Sequence, residues 1–243
     1  MISSRTTALF AMALVVGLAV AVPVPGWTLS PPYAQMAPLA QYLIADRQTE
    51  IDLARSAAPA AISRQATVLV LTPHGYETAQ QGTNGFTCLV ERSWENPFDN
   101  SNFWNSKLHA PVCYNQAASR TVLPYTILRT EMALAGVSKT QMLDRLQAAI
   151  SSGRLSPAAQ GSMAYMMSHN QYLGDGAKSW YPHVMVYAPK SDSTNAGESW
   201  GADRQGSPVV FDASDHVNPE PWAVFYIPVA SWSDGSSAPA LAM

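Results

Sequence analysis

The sequence predicts an α+β domain with a mostly antiparallel sheet, on one face of which an N-terminal helix and a central helix pair pack. Three observations lead to this class. Short runs rich in β-branched and aromatic residues occur at seven places, which is typical of strands. Apolar residues recur at helical spacing in three segments. Short polar turns separate successive strands, which favours antiparallel pairing with the helices gathered to one side.

The first helix is predicted from Ala37 to Ala57. Its apolar residues fall at spacings of three, four and seven, so they form one stripe along the helix. Ala58-Pro59 then ends it. The run Thr67–Thr72 (TVLVLT) is β-branched and of strand length, with Pro73 at its exit.

A hairpin is predicted next. Residues 76–81 and 86–92 have strand character, and the turn Gly82-Thr83-Asn84-Gly85 between them is rich in residues that tolerate positive φ. Residues 93–112 are predicted to be a loop whose aromatic side chains pack it onto the core.

A helix pair occupies the middle of the chain. Pro124 suits the first turn of a helix that runs to Ala135, and Gly136 suits its left-handed end. Ser138 then caps a second helix, with Gln141 as its capping-box partner. Four further strands are predicted after it, at Met163–Ser168, His183–Tyr187, Pro208–Phe211 and Trp222–Val229.

The N-terminus has the pattern of a secretory signal. Arg5 is followed by the short apolar run Ala8–Val22 and then by helix-breaking prolines. The run is too short to span a bilayer comfortably, although an uncleaved membrane anchor is the alternative. The predicted organisation is a signal peptide at 1–26 with cleavage between 22 and 34, a single domain at 35–232 and a flexible tail at 233–243. Periplasmic or extracellular localisation follows, without stable membrane insertion after cleavage.

Cys88 and Cys113 are the two cysteines of the chain. In an oxidising compartment an even number of cysteines favours a disulfide, and only one pairing exists. Two buried thiols or half of a metal site are the alternatives. The sequence therefore predicts a bond between Cys88 and Cys113.

The charge balance argues against a nucleic-acid partner. There are 14 basic and 17 acidic residues, a net charge of -3, whereas nucleic-acid binding needs a basic face. Residues 132–140 (MALAGVSKT) resemble the helix-turn-helix of lac-repressor-type regulators. Glycine and a capping serine are needed in any tight turn between helices, so this short match predicts a helix pair and no DNA binding.

One constellation could support catalysis. His74 and Glu77 lie at the exit of the first strand, and His183 begins a later strand. If the strands are neighbours, these side chains could converge, with Glu91 as a further carboxylate, to bind a divalent metal or to act in acid–base chemistry. Ordinary turn and surface roles are the alternative. The sequence contains no GxSxG, GxGxxG or P-loop motif, so no other cofactor is predicted.

Aromatic residues are abundant in the C-terminal half. Tyr172, Trp180 and Tyr181 flank a glycine-containing loop, where exposed rings could stack on a sugar or grip a peptide. Core packing is the alternative for each ring. These three residues are the candidates for ligand binding.

The stretches Ala66–Trp94 and Tyr165–Pro189 resemble a group of exported bacterial hypothetical proteins with no assigned activity. The resemblance implies an exported location and a shared fold, and it transfers no catalytic residue. The sequence thus predicts a non-catalytic ligand-binding or structural domain of the envelope or the medium, whose partner is a small molecule, a glycan or a protein. The alternative is a metal-assisted hydrolase that uses His74, Glu77 and His183.

Overall fold

A mixed sheet of eight strands forms the centre of the fold. The computed structural model describes residues 32–176, 178–189, 209–211 and 216–239, with the backbone alone at 209–211. The predicted signal peptide and most of its predicted cleavage region lie outside these residues, as does the end of the predicted tail. The described residues belong to one compact unit.

The strands are β1 (Thr67–Thr72), β2 (Gly75–Gln80), β3 (Thr87–Glu91), β4 (Ala110–Tyr114), β5 (Met163–Met166), β6 (His183–Pro189), β7 (Val209–Phe211) and β8 (Trp222–Pro228). Their order across the sheet is β2-β1-β3-β4-β5-β6-β8-β7. β1 and β3 run parallel, and every other pair of neighbours runs antiparallel.

The α-helices are α1 (Arg47–Arg55), α2 (Ala60–Ser63), α3 (Gln116–Thr121), α4 (Leu123–Leu134) and α5 (Lys139–Ser151). Together with the sheet they confirm the predicted α+β class. The capping box of α5 is also confirmed, since the Ser138 side chain accepts from Gln141 N and the Gln141 side chain accepts from Ser138 N. None of the helices among the described residues is both long and apolar enough to cross a membrane.

Helices cover both faces of the sheet, so the predicted packing on one face is wrong. On one side, Ile51 and Ala54 of α1 pack against Val68 and Val70. On the other side α4 and α5 form a larger core with the alternate strand residues, for example Leu89. Successive residues of TVLVLT and TCLVE are apolar, so both faces of β1 and β3 require cover.

The predicted disulfide between Cys88 and Cys113 is confirmed. The two residues lie directly opposite each other on β3 and β4, and both are fully buried under α1. The bond therefore links two adjacent central strands inside the smaller of the two cores.

The predicted hairpin is wrong, because β1 lies between β2 and β3. Pro73 and His74 form a tight turn in which Gly75 adopts φ 119°, so β2 folds back on β1 instead. The chain then passes the start of β1, where a Cβ on Gly82 would lie 2.1 Å from Thr67 N. Only glycine permits this close approach, which delivers β3 to the other edge of β1.

Two other predictions need correction in the N-terminal half. The single helix predicted over 37–57 is shorter, since the Asp46 side chain accepts from Thr49 N and starts α1 only there. The predicted loop at 93–112 contains the start of β4, which includes Pro111. Proline is tolerated because β5 pairs only with Cys113 and Tyr114, so no ladder bond to β5 is lost.

The later elements follow the prediction more closely. α4, α5, β5, β6, β7 and β8 all occur within three residues of their predicted bounds. The predicted tail begins with an ordered turn, in which Trp232 N donates to Ser236 O and Ala238 N donates to Ala230 O.

Candidate functional site

A cavity of about 410 Å³ lies between α4 and the half of the sheet that contains β4, β5, β6 and β8. This volume is in the range of small-molecule sites. Alternation along β6 directs residues 183, 185 and 187 to this face, and alternation along β8 directs residues 222, 224 and 226 to the same face. The segments 91–100 and 216–220 complete the lining.

Six aromatic rings line the cavity: Tyr114, Tyr125, Trp180, Tyr187, Trp222 and Tyr226. Several of them meet edge to face. Trp222 contacts Tyr125 at 4.4 Å and Tyr187 at 5.9 Å between ring centroids, and Trp180 contacts Tyr226 at 5.8 Å. Such contacts hold the rings in defined orientations, so the cavity has a rigid aromatic wall.

Three carboxylates share this apolar cavity, namely Glu91, Glu95 and Glu220. Glu91, at the end of β3, accepts hydrogen bonds from the Tyr114 hydroxyl and, at 3.2 Å, from Thr126 Oγ1. Burial raises the pKa of Glu91, and these two bonds oppose the rise. Burial also raises the pKa of Glu95, well above its ordinary value. The positive charge of Arg129 opposes this rise, and the negative charges of Glu91 and Glu220 add to it.

Arg129 of α4 holds Glu220 in place. Its Nε and Nη2 atoms both donate to Glu220 Oε1, at 2.9 and 2.5 Å. Its Nη1 donates to the carbonyls of Trp94 and Asn96, and Nη2 also donates to Asn218 Oδ1. The guanidinium thus joins three parts of the cavity wall, namely α4, the segment after β3 and the segment before β8.

His183 is the imidazole of the cavity wall that is most deeply buried, with 2% of its surface exposed. Its Nδ1 lies 2.7 Å from the carbonyl oxygen of Tyr181, so Nδ1 carries the proton and donates it there. Burial lowers the pKa of His183 to about 4, so the ring is neutral at pH 7. Nε2 is therefore a bare acceptor, beside the rings of Trp180 and Tyr226.

Three buried polar atoms of this lining have no hydrogen-bond partner within the described part of the chain. They are Glu95 Oε1, Glu220 Oε2 and His183 Nε2. Each unmade hydrogen bond of this kind costs about 1–3 kcal/mol. Buried polar groups in folded proteins are nearly always satisfied. Five other buried side-chain atoms without a partner are scattered elsewhere in the described residues, whereas these three share one cavity.

The structure does not bring together His74, Glu77 and His183, the candidates for a metal or acid–base site. His74 is an exposed turn residue, and Glu77 is exposed on the edge strand β2, where it accepts from Thr72 Oγ1. His183 begins β6, which lies five strand positions from β2, or about 24 Å across the sheet. Among the described residues, no three His, Cys, Asp or Glu side chains approach closely enough to hold a metal ion.

The three aromatic candidates have different locations. Trp180 lines the cavity, and the Tyr181 ring meets Trp180 edge to face at 6.0 Å while its carbonyl anchors His183. Tyr172 does not line the cavity, because its hydroxyl donates to the exposed carboxylate of Asp175. Trp180 and His183 therefore line the same cavity, together with Glu91, and Tyr181 lies beside them.

A search for sequence motifs does not identify most of the residues that line the cavity. Glu95 and Glu220 match no motif, and Glu91 is singled out only as an accessory carboxylate. One signal was available, since alternate residues of HVMVY and WAVFY supply large side chains to one face. Their pairing in register, Met185 opposite Tyr226, builds the wall and depends on the sheet order.

Comparison with known proteins finds no significant match among protein-family models, curated proteins or solved structures.

Proposed function

We propose that the protein is an exported domain that binds a small molecule in this cavity without transforming it. The observation that carries the proposal is the set of three buried, unpartnered acceptors on Glu95, Glu220 and His183. A domain with a purely structural role gains nothing from them, whereas a ligand with hydrogen-bond donors satisfies them.

Export is part of the same proposal. It is supported by the signal-like residues 1–26 and by the buried disulfide between Cys88 and Cys113, since disulfides persist in oxidising compartments. A metal-assisted hydrolase built on His74, Glu77 and His183 is not supported, because β6 lies far from β2.

Acid–base catalysis is a second candidate, favoured by one observation. Glu91 accepts two hydroxyl hydrogen bonds, whereas Glu95 Oε1 accepts none within the described residues, so the two carboxyl groups differ in environment. Pairs of this kind divide acid and base roles in many enzymes.

The binding proposal is tested with four probes: tyramine, its neutral analogue tyrosol, the anion 4-hydroxyphenylacetate and methyl β-glucoside. Saturation-transfer NMR measures binding, and the same spectra report any conversion of a probe. We expect at least one probe to bind saturably and to remain unchanged. Conversion that Glu95→Gln abolishes would favour catalysis over simple binding.

Two matched variants locate the bound probe. Val224→Phe places a ring in the cavity, and Ile227→Phe places the same ring on the same strand where the side chain is 38% exposed. We expect the first variant to lose binding and the second to keep it, while circular dichroism shows both folded. The proposal fails if no probe binds, or if Val224→Phe binds as well as the parent protein.

A further inference from the structure

The charged groups that line the cavity are unbalanced. Arg92 pairs with Glu50 at 2.9 Å, and Arg129 pairs with Glu220 at 2.5 Å. Within the described part of the chain, Glu91 and Glu95 form no ion pair. The cavity therefore holds an excess of negative charge when its carboxyl groups are ionised, which disfavours an anionic ligand.

The unpartnered atoms share one hydrogen-bonding character. Glu220 Oε2 belongs to a carboxylate whose other oxygen receives both bonds from Arg129, and His183 Nε2 is a lone pair because Nδ1 holds the proton. Both residues are more than nine-tenths buried, with 6% and 2% of their surfaces exposed. Such acceptors require a ligand that supplies N–H or O–H donors.

The acidic side of the cavity is distinct from its aromatic side. Glu95 lies close enough to Glu91 and Glu220 to be influenced by both charges. The rings of Trp180, Tyr226 and His183 contact one another at centroid distances of 4.8 to 5.8 Å. A ligand that fills the cavity therefore needs a cationic end and a flat or apolar body.

We propose that the ligand is a primary organic ammonium ion, whose ammonium group donates to Glu95 and Glu220 while its body packs on Trp180 and Tyr226. This proposal rests on the proposed binding function and names its ligand class. A hydroxyl at the far end of the body donates to His183 Nε2. A neutral polyol could supply donors, but it would leave the carboxylates without a counter-charge.

Tyramine and tyrosol separate these cases, because they have the same phenol and chain and differ in the terminal ammonium or hydroxyl group. Isothermal titration calorimetry at pH 7.5 and low salt measures the affinity of the protein for each of the two compounds. We expect tyramine to bind at least about tenfold more tightly than tyrosol, and 4-hydroxyphenylacetate to bind more weakly than either.

Glu95→Gln keeps the side-chain shape and removes the charge. We expect it to reduce the preference for tyramine to within about threefold, while Glu77→Gln on the exposed edge strand leaves the preference unchanged. Thermal unfolding verifies that both variants are folded. Glu95→Gln should unfold at a temperature no lower than the parent, since it removes a half-buried carboxyl group that forms no ion pair within the described residues and whose Oε1 atom is buried without a hydrogen-bond partner.

Proton linkage supplies a measurement that needs no variant. The groups that face Glu95 are Glu91 from β3, Thr126 and Arg129 from α4 and Glu220 from the segment before β8. An ammonium ligand favours the ionised form of Glu95, so tyramine binding should release protons, detected as a dependence of the binding heat on the buffer.

The outcomes separate the two proposals. Equal or tighter binding of tyrosol, lost in Val224→Phe, would overturn the ammonium ligand and keep the binding cavity. Absence of binding by all probes would overturn both.

Discussion

Arg129→Met tests whether the wall of the cavity depends on one buried guanidinium. The substitution keeps an unbranched apolar chain of similar length and removes the charge with its five hydrogen bonds. Glu220, which is 6% exposed, then remains beside Glu91 and Glu95 with no cation to balance the three carboxyl groups.

The expected loss of stability is large. Breaking a buried ion pair by removing one partner costs about 3–5 kcal/mol, because the other charge stays buried and unpaired. The carbonyls of Trp94 and Asn96 also lose their Nη1 donor, a loss that such measured values already contain in part. We therefore expect the free energy of unfolding to fall by about 4 kcal/mol.

Equilibrium unfolding in urea at pH 7, followed by circular dichroism, measures this loss. Arg145→Met is the control, since Arg145 is exposed on α5 and should change stability by less than about 0.5 kcal/mol. The double variant Arg129→Met/Glu220→Leu removes both charges and should be more stable than Arg129→Met alone, with a coupling energy of about 2 kcal/mol.

Two results would refute this reasoning. A loss below about 1 kcal/mol in Arg129→Met would mean that Glu220 is solvated or neutral without its partner. Additive losses in the double variant would mean that the pair contributes packing and no electrostatic coupling.

Two further predictions concern other parts of the fold. Replacing Cys88 and Cys113 with alanine should lower the free energy of unfolding by about 3 kcal/mol, because the disulfide closes a loop with a sequence separation of 25. Urea unfolding without reductant measures this loss. A loss under about 1 kcal/mol would contradict the prediction. His183 has a pKa of about 4 in the folded state against about 6.5 in the unfolded state. The stability that depends on its neutral form is therefore fully present above pH 6.5 and is lost as the pH falls towards 4. Between pH 7.5 and 5 the parent should lose about 2 kcal/mol more stability than His183→Gln, measured by urea unfolding at both pH values, and parallel losses would contradict the assignment.

Local signals predicted seven of the eight described strands and the central helix pair, and they missed β4, α2 and α3. Pairing across the sheet required more than local signals. The Ser138 capping box and the strand Thr67–Thr72 are encoded within a few residues. The position of β3 beside β1 depends on Gly82, which passes close to the Thr67 backbone, a tertiary contact that turn propensities do not reveal. Residues 82–85 do connect β2 to β3, as predicted, but the two strands lie on opposite sides of β1 and do not pair with each other.

Local sequence signals likewise identified only part of the candidate site. His183 and Trp180 stood out by residue type, but His74 and Glu77 could be partners of His183 only if β1 and β6 were neighbours, which they are not. Glu95 is ordinary in sequence, and it becomes informative only because folding buries its Oε1 atom without a partner in the described residues. Burial and hydrogen-bond satisfaction are properties of the assembled sheet, so no pattern within the segment containing Glu95 could predict them.

The carboxylate partners of the two buried guanidinium groups differ in whether all their buried oxygens are hydrogen-bonded. Arg92 donates to the carbonyls of Tyr42 and Val90 and to Glu50, whose Oε1 also accepts from Leu71 N. No buried oxygen of Glu50 is left unpartnered in the part of the chain that the structure describes, so the hydrogen bonds of this ion pair are satisfied within the protein. The pair of Arg129 leaves Glu220 Oε2 open at the cavity. This difference between the two carboxylates is what the proposed ligand would account for, since a donor from outside the chain could reach Glu220 Oε2 and could not reach Glu50.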